Sequence, residues 1–196
     1  PRTSGDIYIK GKKVEINKPI DAIEKGISLV PEDRKGQGVS LTMSIRENIS
    51  LVCLKQICQA GRVNLKKDRE WSEKYIKALE IKTPTMEQKV KNLSGGNQQK
   101  VAIAKWLVTN SDIIILDEPT RGIDVGAKQE IYLLMNQLIE QGKSLIMISS
   151  EMPELLGMSD RILVMHEGTI TGEVSRQEAT QQLILEYASG GKMSEV

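Results

Sequence analysis

Two groups of residues in this chain are suited to handling phosphate. In Leu93-Ser94-Gly95-Gly96-Asn97-Gln98-Gln99-Lys100 a serine and two glycines stand where a helix would begin. Unpaired backbone N–H groups and the positive end of the helix dipole would face an anion there, and glycine admits a phosphate that a Cβ would block. One helix length later, Ile113-Ile114-Ile115-Leu116-Asp117-Glu118-Pro119-Thr120 carries four apolar residues into two adjacent carboxylates. Such a run predicts a strand buried on both faces, and the carboxyl end of a strand is where open α/β sheets place ligands. Phosphoryl transfer needs a metal holder, a group that orients water, and N–H donors around the terminal phosphate. Asp117 suits Mg²⁺, directly or through water, because the strand end holds it rigidly. Glu118, pointing elsewhere, suits a general base. The rival reading of the two carboxylates, an ordinary helix cap or surface turn, is outweighed by the apolar run and the Pro-Thr that follows.

The elements that must position these groups can be read in order. Residues 7–9 and 14–16, joined through Gly11, predict a hairpin. Residues 19–25 predict a short helix with Pro19 near its start and Gly26 at its end, and 27–30 a strand leading into the polar loop Glu32-Asp33-Arg34-Lys35-Gly36-Gln37-Gly38. Residues 44–57 predict a helix capped by Ser44, with Glu47 three positions on as a capping box. A second helix is expected over 67–79 and a third over 94–108, the latter amphipathic through Val101, Ile103, Ala104 and Leu107. Strand, helix and strand follow at 112–116, 125–141 and 145–148. Within that helix Ile131, Leu134, Met135 and Leu138 form one apolar stripe, read as core, and a right-handed crossover makes the two strands parallel. Residues 161–165 and 169–174 predict a closing hairpin around His166, and 177–187 a terminal helix.

Composition narrows the functions open to the chain. Its 196 residues fit one domain with a real core. The 27 Lys+Arg and 26 Asp+Glu leave a formal charge of +1 with no block of like charge, so no nucleic-acid partner is expected. With no Phe, two Trp and four Tyr, base-stacking platforms are disfavoured and the core must be aliphatic. Cys53 and Cys58 lie far from the single His166, a pattern that supports neither a zinc site nor a disulfide framework and predicts reduced structural cysteines. The apolar runs fall far short of the roughly 20 residues needed to cross a bilayer, and no signal peptide opens the chain, so a soluble cytoplasmic protein is expected. The start at Pro1, running at once into Asp6-Ile7-Tyr8-Ile9-Lys10, reads as a piece of something longer. A G-x-x-x-x-G-K-[ST] loop does not occur; Gly142-Lys143-Ser144 mimics its tail, but Gln137 occupies the first glycine position and the tripeptide precedes a strand.

On these motifs the chain resembles an ATP-binding-cassette (ABC) ATPase domain over nearly its whole length. L-S-G-G at 93–96 is similar to the family signature, D-E-P-T to the Walker B segment, and Arg121-Gly122-Ile123-Asp124 to the D-loop, with Asp124 as its acidic residue. Val30-Pro31-Glu32 resembles the Q-loop, and Ile148-Ser149-Ser150-Glu151 sits where the switch histidine is expected. More narrowly, V-P-E-D-R-K, L-S-G-G-N-Q-Q-K, D-E-P-T-R-G-I-D-V-G-A-K and S-S-E-M-P-E-L resemble the C-terminal half of tandem ATPase subunits of bacterial monosaccharide importers. A nucleoside importer is the nearest alternative.

The resemblance implies an incomplete P-loop NTPase fold of the α/β class, with a mainly parallel core sheet, an N-terminal β-hairpin piece and an inserted helical subdomain. It divides the chain into 1–43, 44–110 and 111–196. It implies ATP and Mg²⁺ as ligands, with Ser94, Gly95, Gly96, Asn97 and Asp124 at the nucleotide and Asp117 and Glu32 at the metal. Glu118, Ser150 and Glu32 would hold the catalytic positions. Two ATP sites would lie head to tail, this chain supplying its signature in trans to an N-terminal half of the same polypeptide. Permease subunits, met by the helices of 44–90, and a sugar-binding protein outside the membrane would complete the assembly, with this subunit on the cytoplasmic membrane face.

Two departures from the family pattern bear on catalysis: Glu32 stands in place of Gln and Ser150 in place of His. A carboxylate about 4 Å from a phosphate oxygen would cost up to about 4 kcal/mol at an effective dielectric near 20 unless a metal intervened. Serine cannot carry the positive charge of a histidine, and His166 falls in the later hairpin, so the site built on Asp117 and Glu118 is expected to be slow or silent. The chain alone is expected to bind ATP more weakly than about 1 mM and to expose apolar surface that promotes self-association. A non-hydrolysing regulatory half is the rival from outside enzymology. A soluble DNA-associated ABC protein is disfavoured by the absence of coiled-coil insertions and a basic face.

Overall fold

The computed structural model describes residues 3–59 and 61–191. The chain forms two compact units, one up to Ile148 and one from Ser149 onward. In the first, β1 (Ile7–Ile9) and β2 (Lys12–Val14) pair antiparallel, with Ile7 opposite Val14. The second strand therefore lies earlier than the expected 14–16, because a two-residue turn at Lys10 and Gly11, both left-handed, closes the hairpin directly. Helix α1 (Pro19–Glu24) has Pro at its start, and left-handed Gly26 ends the turn before β3 (Ile27–Val30). The loop after β3 is not irregular: Arg34–Gly38 coils into a π-helical turn capped by Asp33, whose carboxylate accepts from the Gly36 N–H at 2.9 Å.

The capping box at Ser44 is present, with the Glu47 N–H reaching Ser44 Oγ at 3.2 Å and Ser44 N–H reaching Glu47 Oε2 at 2.7 Å. The helix it starts is shorter than the expected 44–57. Helix α2 (Ile45–Ser50) gives way to a 3₁₀ turn at Leu51–Cys53, then α3 (Leu54–Ile57). Ser50 Oγ donates back to the Arg46 carbonyl at 3.1 Å, a side-chain bond that bends helices. Strands β4 (Cys58–Gln59) and β5 (Arg62–Val63) form a small hairpin, and Asn64 caps α4 (Leu65–Ala78). Arg46 ties these pieces together by pairing with buried Asp68 on α4 and with Glu87.

Helix α5 (Gly95–Leu107) runs through the centre of this unit. An amphipathic stripe was expected; instead residues 98–105 are buried without a break, as in a helix packed on all sides. It packs on α2, α4 and β3; Gln98 Nε2 donates to the carbonyls of Val90 and Leu93, and Lys105 Nζ to that of Gly38, while the buried Gln98 Oε1 finds no partner among the described residues. Beyond it, β6 (Ile113–Asp117), α6 (Val125–Glu140) and β7 (Ser144–Ile148) complete the unit. The sheet order is β3-β6-β7, all parallel, with Val30 beside Leu116 and Asp117 beside Ile148. Ile131, Leu134, Met135 and Leu138 of α6 are all buried.

The expectation of two-sided burial for 113–116 is corrected by the alternation observed. Ile114 and Leu116 are 1% and 0% exposed, on the face with Val30, whereas Ile113 and Ile115 are half-buried. On their face, Leu29, Ile146 and Ile148 stand 45–52% exposed. The core residues of the described chain are aliphatic apart from sulfur, with no buried aromatic ring among them. Cys53 and Cys58 are free thiols; burial pushes the Cys53 pKa up to about 11, so its thiol stays protonated and unreactive. Among the described residues no helix is long and apolar enough to cross a membrane.

The second unit contains α7 (Met152–Met158), the hairpin of β8 (Arg161–His166) and β9 (Thr169–Ser175), and α8 (Gln181–Ala188). Its small core gathers Ile162, Val164 and Ile184 with Leu155, Leu156 and Tyr187. Helix α8 starts at the Thr180 cap, later than the expected 177, because Glu178 is used in a turn with Ser175. His166 closes β8, and its Nδ1 lies 2.8 Å from the Ala188 carbonyl, so a neutral ring carries its proton on Nδ1.

Candidate functional site

The turn that opens α5 is built by its own polar side chains. Ser94 is exposed and caps the helix; its hydroxyl accepts from the Asn97 N–H at 3.4 Å and from Asn97 Nδ2 at 3.0 Å. Both bonds use the oxygen, which leaves the hydroxyl proton to donate to a ligand. Asn97 is itself engaged on both ends of its amide, since Oδ1 accepts the Lys82 N–H at 2.7 Å. Gly95 is half-buried and Gly96 buried. A Cβ on Gly96 would stand 2.5 Å from the Ala127 Cβ, so this glycine is required by the packing of α5 on α6, not by the approach of a phosphate.

Four residues past Gly96, the ammonium of Lys100 is almost wholly buried. It pairs with Glu130 of α6 at 2.9 Å and donates to the Glu80 carbonyl at 3.2 Å, while Lys82 meets the other Glu130 oxygen at 2.9 Å. Hydrogen bonds from Lys100, then Lys82, hold the Glu130 carboxyl below the ordinary carboxylate range. The signature turn and α6 are thus locked together by one close contact and one ion triad.

The end of β6 is built from backbone. Asp117 is half-buried in register with Ile148, and the Glu118 N–H donates to the Ile148 carbonyl at 2.9 Å. Glu118 adopts a left-handed backbone at φ 46°, a conformation costly for a residue with a Cβ and found where surrounding structure enforces it. The two carboxylates therefore leave the strand in different directions. Thr120 is buried, and Asp124 caps α6, accepting from the Ala127 N–H at 2.9 Å. Asp124 so carries the role of an ordinary helix cap as well as its place beside Ile123.

Glu32 pairs with Arg121, which lies just after the D-E-P-T segment. The neutralising cation answers the charge problem that a carboxylate raises at this position, and it is a protein side chain. A cleft of about 400 Å³ opens here, lined by Glu32, Asp33, Arg34, Lys35 and Arg121. In the second unit Ser150 is exposed, and neighbouring Ser149 donates to the buried carboxylate of Glu154 while accepting from the Glu151 N–H. Gly142-Lys143-Ser144 proves to be a helix ending: Gly142 is left-handed after α6, Lys143 lies 3.8 Å from Asp112, and Ser144 begins β7.

The donor set around β6 fits Mg²⁺ held by Asp117 together with phosphate oxygens and water, the usual way this ion is bound beside nucleotides. Among the described residues no three His, Cys, Asp or Glu side chains gather as a metal cage. The Lys100–Glu130 lock and the Glu32–Arg121 pair escaped sequence reasoning. A lone lysine inside Gln-Gln-Lys-Val-Ala-Ile-Ala was the available signal for the first; nothing in the spacing of 32 and 121 announces the second.

A parallel sheet with helices packed on it, a serine-capped glycine turn and paired carboxylates at a strand end define a nucleotide-binding α/β domain. Residues 1–121 match the ABC transporter family, and the chain belongs to it. It is 54% identical over 192 residues to the ribose import ATP-binding protein RbsA of Bacillus licheniformis, covering 98% of this chain and 39% of that protein. The xylose import ATP-binding protein XylG of Thermoanaerobacter pseudethanolicus is 56% identical over 191 residues, 97% of this chain and 38% of that one. The chain thus spans about two fifths of the length of these relatives. A dimeric ATP-binding cassette in a post-hydrolysis state bound to ADP and Pi shares the fold with a TM-score of 0.73 at 24% identity, over 89% of this chain and 74% of that one. A nucleotide-free ATP-binding cassette from an ABC transporter gives 0.75 at 22% identity, over 94% and 77%.

Proposed function

We propose that this chain is part of an ATP-binding subunit that powers import of a monosaccharide, and that its turn at Ser94, Gly95 and Gly96 completes an ATP site in trans. The neighbouring site's phosphate loop would come from an N-terminal ATPase half of the same polypeptide. The observation that carries this reading is the exposed Ser94 cap on a helix start whose far side is locked to α6. A rigid hydroxyl and N–H groups aimed outward stabilise charge developing on a terminal phosphate without reorganising at the moment of reaction. The identity to ribose and xylose import ATP-binding proteins supports the transport role. Permease subunits and a sugar-binding protein are the expected partners, with the subunit at the cytoplasmic membrane face.

On this reading Asp117 holds Mg²⁺ and Glu118 orients and deprotonates water, while Asn97 and Asp124 shape the turns beside the nucleotide. Mg²⁺ would neutralise charge between phosphate oxygens. This chain's own site is slow on this reading, because Glu32 is tied to Arg121. In the intact transporter, Gly95→Asp should abolish ATP turnover by driving a carboxylate into the space between the Gly122 carbonyl, the Arg34 guanidinium and Ile123, which distorts the turn; near-normal hydrolysis would refute the trans role. Glu118→Gln should lower turnover much less than the matching change in the other half. Equal losses would show that both sites work alike.

A further inference from the structure

The cleft beside the signature turn holds five charged side chains, and its two carboxylates are already engaged: Glu32 by Arg121, and Asp33 by the Gly36 N–H. Arg34 is the opposite case. Its Nε is buried and finds no hydrogen-bond partner among the described residues. Burial holds its pKa below the usual guanidinium value. Its stem lies over Gly38, and its Nη2 stands 3.5 Å from where a Cβ on Gly95 would be. A guanidinium partly stripped of water without a counter-ion is costly until an anion completes it. Its planar fork matches two oxygens of a phosphate, which an ammonium at the same place would not.

We propose that Arg34 is a further phosphate-binding residue of the signature turn, its guanidinium gripping the same terminal phosphate as the Ser94 hydroxyl and the Gly95 N–H. The proposal rests on the reading of that turn as a phosphate contact. It also gives the loop after β3 a function in a chain where the glutamine expected there is replaced. Arg121 silences the Glu32 charge, and Arg34, two residues on, supplies a positive one.

Inorganic phosphate, standing in for the terminal phosphate, is titrated into this chain while the Arg34 Nε–Hε signal and the Gly95 amide are followed by NMR. Both should shift along one isotherm. Arg34→Gln should weaken the Gly95 response about tenfold, the scale of a charged hydrogen bond, and Arg34→Lys should fall between. Because Arg34→Gln disturbs a buried contact, Arg34→Lys with an unchanged amide spectrum elsewhere serves as the folded control. If Gly95 responds equally in wild type and Arg34→Gln, the inference fails and the phosphate role of the turn stands. Silence of both signals, or a shift at Arg34 alone, also overturns it. Turnover of Ser94→Ala in the intact transporter, which removes the cap hydroxyl without placing a charge beside Arg34, judges the underlying reading separately: a marked loss supports it and near-normal turnover refutes it.

Discussion

The start of α5 and the end of β6 are held in opposite ways. Behind Ser94 and Gly95, side chains supply the support: Ala127 fills the space against Gly96, Lys100 pairs with Glu130, and Gln98 donates to the carbonyls that precede the turn. Behind Asp117 and Glu118 the support includes the sheet ladder, the Glu118 N–H bond to the Ile148 carbonyl and the Arg121 N–H bond to the Glu118 carbonyl, with a left-handed residue at the join and exposed Ile146 and Ile148 alongside. The first region is complete within this chain. The second has one apolar flank open to solvent, so its geometry depends on fewer buried contacts.

Breaking the lock at α5 should have the largest effect. Glu130→Ala leaves the buried Lys100 ammonium with only the Glu80 carbonyl, and should cost about 3 kcal/mol in denaturant unfolding, the low end for breaking a buried pair because Glu130 is partly exposed. A loss below about 0.5 kcal/mol would place this contact with ordinary surface pairs. The same pair predicts a pH dependence. The folded Glu130 pKa lies below the unfolded one, so its stabilisation is full above the unfolded value near about 4.3 and fades as pH falls through the folded value. The gap between wild type and Glu130→Ala should therefore narrow in acid. A gap that widens on acidification would show that the carboxylate is not what stabilises the lock.

Gly96→Ala comes next. The new methyl meets Ala127 at 2.5 Å, and pushing α5 from α6 should cost about 2 kcal/mol, as overpacking does. Thermal melts unchanged from wild type would mean that α5 shifts freely, and the contrast between the two regions would weaken. The smallest effect is expected on the open sheet face. Ile146→Ser should change stability by no more than about 0.5 kcal/mol, while reducing any self-association seen by light scattering. A large loss of stability there would mean that the face is covered after all.

Much of the fold was legible because local chemistry decided it. Ser44 with Glu47, Ser94 before two glycines, and Asp124 before Val125 are caps whose bonds form within three residues, and the stripe on α6 follows from helical period alone. Where local signals competed, sequence reasoning drifted: Ser50 bent a helix that periodicity would have continued, and the polar loop after Val30 coiled into a π turn around Asp33. The unbroken burial of α5 was hidden too, since the partners that let Lys100 and Lys105 be buried, Glu130 and the Gly38 carbonyl, lie far off in sequence.

What the residues determined unaided was a set of elements, their order, and two places fit for phosphate and metal. Which side chains answer one another across the fold was decided only by tertiary structure. Arg121 meets Glu32, Lys100 meets Glu130, and Arg34 comes to rest beside Gly95, across 89, 30 and 61 positions of chain respectively. Hydrogen-bond and packing preferences act over a few ångströms, and only chain folding brings such distant residues within that range.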